Sequence, residues 1–213
     1  MEIKDIIDEK VEKFRSDEKV AGILVSGERD AEECGVNFVV LGSFDSLTTE
    51  TVDGTIIHTK FVTGQSAITE LSHDSTETYR YINCRIIYDK FGQLTHIVSK
   101  AKKIYDEYIT PNDIKQDLAR SLTLLSSRLA SALKSGDSFE CHCLFSLSTY
   151  ELIRAIWSVN NKPVPPMCSI RSMHSTLTNI PYDSWFEELF SDDFMLSLSV
   201  ALTLIDWLLN ELQ

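Results

Sequence analysis

The sequence predicts an α+β protein, with a mixed sheet and flanking helices over 1–109 followed by an all-helical bundle over 110–213. Three observations carry this reading. Short runs rich in β-branched residues are confined to the first half, stripes at helical spacing dominate the second, and Thr110-Pro111-Asn112-Asp113 supplies a helix-start signal between them.

Residues 3–14 place Ile3, Ile6, Ile7, Val11 and Phe14 on one helical face, so the chain opens with an amphipathic helix. Val20 to Val25, Val36 to Leu41, and Thr55 to Val62 after the turn Asp53-Gly54 read as strands. Gln65 to Leu71 reads as a short helix and Tyr79 to Tyr88 as a fourth strand, closed by Asp89-Lys90-Phe91-Gly92. Leu94, Ile97, Val98, Ala101, Ile104, Tyr105 and Tyr108 then mark a helix. Beyond it Thr110 is the expected N-cap with Pro111 at the first helical position, and Ile114, Leu118, Leu122, Leu125, Leu129 and Leu133 trace a long stripe. Further helices are expected at about 138–159, 168–178, 182–190 and 193–212. No internal repeat is visible.

The chain has 213 residues, of which 43% are hydrophobic and 24% charged, a composition that excludes disordered and low-complexity proteins. Its formal charge of -12 repels phosphate backbones and anionic lipid, so no nucleic acid and no membrane is expected as a partner. A small or cationic ligand suits that field, and a local cationic pocket for a mononucleotide is compatible with it. Five cysteines and no leader-like N-terminus point to a reducing, cytoplasmic setting. Phe194 to Leu209 approaches the length of a membrane span, but Ser197, Ser199, Thr203 and Asp206 interrupt it, and a buried terminal helix is expected instead.

The order of these elements resembles the nucleotidyltransferase fold of the antibiotic-modifying type, the aminoglycoside and lincosamide nucleotidyltransferases. The resemblance rests on Ala21 to Val25 running into Ser26-Gly27, an acidic loop, and the strand Cys34 to Leu41. Ile86 to Leu94 looks like that family's last strand and turn into a helix. Tyr150 to Pro166, continuing to Pro181, is similar to the helical half of its small-molecule relatives.

The resemblance implies two Mg²⁺ ions held by carboxylates, a pair of them at alternate positions of the second strand and a third on the strand after Asp53-Gly54. Those slots fall on Gly35 and Asn37, and on His58 or Lys60, none of them acidic. The chain therefore reads as a degenerate nucleotidyltransferase, with no catalytic and no metal residue, that binds a small molecule or nucleotide without a cofactor. Ser26, Gly27, Arg29, Asn37 and Lys60 are the candidate binding residues, with Arg85 as a further cation. Ser26-Gly27 reverses the family's Gly-Ser order and is equally a plain tight turn.

An active enzyme remains the alternative. Glu28, Asp30, Glu32 or Glu33 would then bring Mg²⁺ to ATP for transfer of a nucleotide to a hydroxyl of a small, cationic acceptor. A third reading is a scaffold acting through its helical half.

Cys141-His142-Cys143 lacks the spacing and the second cysteine pair of a structural zinc site, and its thiols would face opposite sides of a helix as small buried hydrophobes. His58, His73, His96, His142 and His174 are scattered and read as surface or structural residues. Trp157, Trp185, Phe186, Phe190, Trp207 and Leu208 furnish either a core or a dimer contact, and with the apolar last helix they suggest a homodimer.

Overall fold

Alternation of apolar residues in the first half builds a five-stranded sheet, seen in a computed structural model that describes residues 2–27 and 35–212. The elements in order are α1 (Ile3–Arg15), β1 (Gly22–Ser26), β2 (Val36–Leu41), β3 (Ser46–Val52), β4 (Thr55–Val62) and α2 (Gly64–His73). They continue with α3 (Tyr79–Ile82), β5 (Cys84–Asp89), α4 (Gln93–Asp106), α5 (Asn112–Ser135) and α6 (Ser138–Val159). The chain ends with α7 (Met167–Met173), α8 (Trp185–Leu189) and α9 (Phe194–Glu211). The protein is α+β, and its strands run in the spatial order β3-β4-β2-β1-β5. The β2–β4 pair is parallel and the other pairs are antiparallel, which makes the sheet mixed.

The chain divides into two compact units. The first comprises 1–107 with 165–172, the second 108–164 with 173–213. In the first unit both faces of the sheet are covered over its inner strands β1, β2 and β4. Ile23, Val25, Val36, Phe38, Val40 and Ile57 meet Ile6, Ile7 and Val11 of α1 on one face. Leu24, Val39, Leu41 and Val62 meet Ala67 and Leu71 of α2, Tyr81 of α3, and Leu94, Ile97 and Ala101 of α4 on the other. Strand periodicity thus assigns each residue of β1, β2 and β4 to a known face.

In the second unit α5 and α6 pack along each other, and α9 packs on α5, α6 and α8. Trp157, Trp185, Leu204 and Leu208 are fully buried there, so these aromatics are core, whereas Phe190 is half exposed. The apolar α9 is long and apolar enough to cross a membrane by composition alone, yet Leu198, Val200, Ala201, Leu204, Ile205 and Leu208 are buried within the unit. Cys141 is buried but Cys143 is exposed, which corrects the expectation of two buried thiols. His142 lies flat on Phe194, with ring centroids 3.5 Å apart, and hydrogen-bonds the Ser138 carbonyl.

Three local expectations are corrected. β3 is an additional strand: Ser46–Val52 carries almost no apolar residue, all but Val52 are exposed, and it pairs because the Asp53-Gly54 turn folds it back on β4. Tyr79–Ile82 is a helical turn and β5 begins only at Cys84. The side chain of Asp74 accepts from Thr76 N–H and the Thr78 hydroxyl donates to Ser75 O, winding the chain before the strand begins. At the start of α5 Pro111 itself occupies the cap position in extended conformation, one residue later than expected.

Candidate functional site

Of the residues singled out in the sequence, Ser26, Asn37, His58 and Lys60 share the sheet face that carries α2 and α4, whereas Arg85, opposite Val25, belongs to the α1 face. On β1, Ser26 follows Leu24 by two residues and shares its face. On β2, Asn37 stands in the same relation to Val39, and on β4 His58 and Lys60 alternate with buried Thr59. The registers then set one polar row across the whole sheet: Cys84, Ser26, Asn37, His58 and Thr49, each directly opposite the next. Neighbouring strands lie about 4.8 Å apart, so one bound small molecule can touch three members of such a row.

At the middle of the row the backbone is crowded. Gly35 has φ of 75°, and a Cβ there would lie 2.4 Å from the carbonyl oxygen of Ile56. No side chain fits that position, so the first of the two slots on β2 is closed to any ligand atom by geometry as well as by identity. A Cβ on Gly27 would stand 2.8 Å from Gly35 O and 3.2 Å from Asn37 Nδ2. Ser26-Gly27, Gly35 and Asn37 therefore form one tight corner, where β1 leaves the sheet and β2 enters it.

The outer end of the row is tied by a hydrogen bond of 3.0 Å between Thr49 Oγ1 and His58 Nδ1. At its other end the Cys84 thiol donates to Tyr81 O, and burial pushes its pKa up, which keeps it protonated and a poor nucleophile.

Lys60 lies one step further along β4, opposite Val39. Its ammonium binds Glu70 of α2 at 2.6 Å and Glu77 at 3.0 Å, and Glu77 also receives Arg80 Nε at 2.8 Å. The Lys60 side chain is only 15% exposed, so this is a neutralised network and not a free cation facing the row. Burial, followed by the charges of Glu70 and Glu77, drives the neighbouring Tyr81 phenol far above its ordinary range, and its hydroxyl has no hydrogen-bond partner among the described residues. A groove of about 330 Å³ opens beside the network, lined by Asp45, Leu47, Lys60, Phe61, Glu70 and Arg80. Asp45 borders it and accepts Thr63 N–H at 2.8 Å and the Ser66 hydroxyl at 2.7 Å; these two bonds, the Ser66 one first, hold its carboxyl below the usual range.

Of the five candidate binding residues, the structure thus joins Ser26, Gly27 and Asn37 in one corner and sets Lys60 apart in its carboxylate network. Arg29 and the loop acids Glu28, Asp30, Glu32 and Glu33 lie outside the described residues. Thr49, Glu70, Glu77 and Arg80 do not stand out in the sequence; the Asp53-Gly54 hairpin signal is the cue for Thr49, since it implies a strand on both sides of the turn.

The donors of the row are a hydroxyl, a carboxamide, an imidazole and backbone groups. They can hydrogen-bond a neutral or anionic oxygen. They do not fit two Mg²⁺ ions, which are hard cations held through carboxylate oxygens.

No protein-family profile and no curated protein matches the chain. Among solved structures it is similar to a nucleotidyltransferase-like protein from Exiguobacterium sibiricum 255-15, with 12% identity and a TM-score of 0.42 over 93% of this chain and 71% of that one.

Proposed function

We propose that this chain is a nucleotidyltransferase-like protein that has lost metal-dependent nucleotidyl transfer and binds a small molecule or a mononucleotide at the corner made by Ser26, Gly27 and Asn37. The observation that carries this reading is the register of Gly35, Asn37 and His58. The resemblance implies carboxylates at two of these positions on β2 and near the third on β4, and here stand a glycine with no room for a side chain, a neutral amide and an imidazole directly opposite it. Without carboxylates at these three positions, the described residues give two divalent cations nothing to align them with an attacking and a leaving oxygen.

A ligand oxygen would instead accept from the Ser26 hydroxyl, the Asn37 amide and backbone N–H groups at Gly27, a neutral donor set that works without metal. Lys60 contributes through the network that positions α2, and Arg29, two residues beyond Gly27 in the sequence, is the candidate cation. A reducing, cytoplasmic setting is in keeping with Cys84, Cys141 and Cys143 being free thiols.

Calorimetry with ATP, once in Mg²⁺ and once in EDTA, tests the reading. Equal binding in both, weakened by Asn37→Leu, is the expected result. Binding only with Mg²⁺, together with a nucleotidylated product by mass spectrometry, overturns it in favour of an enzyme whose metal is held by the acids of the 28–33 loop.

A further inference from the structure

The outer edge of the sheet carries an inference independent of that site. Asp53 and Gly54 both have positive φ, 46° and 81°, the signature of a two-residue type I′ hairpin turn between β3 and β4. In such a hairpin the flanking pair, here Val52 and Thr55, exchanges both backbone hydrogen bonds, and bonded pairs alternate from there. Ser46, Thr48, Glu50 and Val52 therefore spend their backbone groups on β4, while Leu47, Thr49 and Thr51 direct theirs outward. β3 is an edge strand, and Ser46 to Thr51 are all exposed. Among the described residues no strand lies against it. It also lacks the usual protections of an edge: no proline, no lysine and no break in its register with β4.

We propose that β3 pairs with β3 of a second copy of this chain, antiparallel and centred on Thr49, joining two five-stranded sheets into one. The strand is self-complementary in that register. Thr49 faces its counterpart, Leu47 faces Thr51, and each of these pairs exchanges both backbone hydrogen bonds. On the other face Thr48 lies opposite Glu50, so no like charges meet directly. Glu50 is the sole charged residue of β3, and Lys10 of α1 neutralises it at 2.7 Å, which damps the diagonal approach of the two glutamates across the axis. Because Thr49 holds His58, the polar rows of the two copies meet end to end at the axis. The interface thus lies on the sheet, not on the aromatic helices.

Sedimentation equilibrium of the full chain tests the pairing. The mass should rise from 24.2 kDa toward twice that value between low and high micromolar concentration. Thr49→Lys and Thr49→Glu, each placing like charges opposite one another at the axis, should remain monomeric alone and form a mixed dimer together. A wild-type mass constant at 24.2 kDa, or a dimer that persists in Thr49→Lys, overturns the proposal. Should either variant fail to fold, hydrogen exchange on the wild type decides: the amides of Leu47, Thr49 and Thr51 should gain protection as concentration rises, and unchanged exchange there is the refuting result.

Discussion

Gly35 shows how a single residue can decide what chemistry a strand supports. A left-handed φ together with a carbonyl oxygen 2.4 Å from the place of a Cβ leaves hydrogen as the one substituent that fits. Ile56, whose carbonyl closes the space, precedes Ile57, the residue opposite Val36, so the clash lies where β2 begins to pair with β4. Gly35→Ala should cost about 2–4 kcal/mol, combining left-handed strain with a backbone clash that no flexible side chain can relieve. A urea midpoint within error of wild type would show that the strand entry relaxes freely. Close contacts likewise separate Lys60 from the corner made by Ser26, Gly27 and Asn37. Side-chain chemistry nominates it as a phosphate cation, and only its distances to Glu70 and Glu77 reveal that its charge is spent.

At the scale of elements, caps and turns account for most of what periodicity alone misses. α4 begins at Gly92, a residue with no side chain to cap it, and Asp89 at the end of β5 takes over that task. Its carboxylate accepts Leu94 N–H at 3.2 Å and both the N–H and hydroxyl of Thr95 at 2.8 Å. Partial burial works upward on the Asp89 pKa, but these hydrogen bonds outweigh it and hold the group below the ordinary aspartate value. A depressed folded pKa adds stability above the unfolded value of about 3.9, and that stability is lost as pH falls through the folded value. Asp89→Ala should therefore lower stability by about 1 kcal/mol near neutrality and flatten the acid limb of the stability profile below about pH 4. Chemical denaturation of both proteins at a series of pH values checks this; parallel acid limbs would remove Asp89 from the capping role.

Asn160 is the counterpart in the second unit. Its amide donates to the carbonyls of Ile156 and Asn179 and accepts the N–H groups of Thr178 and Asn179, so the residue that ends α6 also pins the chain segment that follows α7.

For the whole molecule the strongest influence legible in the composition is charge. A net -12 spread over a chain of this size opposes compaction through self-repulsion, and salt screens it with a Debye length of about 10 Å at 0.1 M. The thermal midpoint should rise between about 10 mM and 0.2 M sodium chloride. A midpoint that falls with salt would mean that attractive pairs such as Lys10–Glu50 outweigh the net field.

Class, the order of most elements and the position of the polar corner were legible in the sequence, because burial forces a period of two on strands and of 3.6 on helices, and a residue's parity then names its face. Ser26 and Asn37 share a face for that reason, and the β1–β2 register sets them opposite one another. Three things were not legible from periodicity. β3 carries no apolar pattern, since an edge strand with both faces exposed has nothing to bury, and the Asp53-Gly54 turn is its one cue in the sequence. Tyr79–Ile82 alternates like a strand yet coils, because hydrogen bonds around Asp74 and Thr78 set its local conformation. The partners of Lys60 come from α2 and the turn before α3, ten and seventeen residues away. Composition and periodicity determine which surfaces must be hidden; which charges then meet depends on how separate segments pack, and that is a property of the tertiary structure alone.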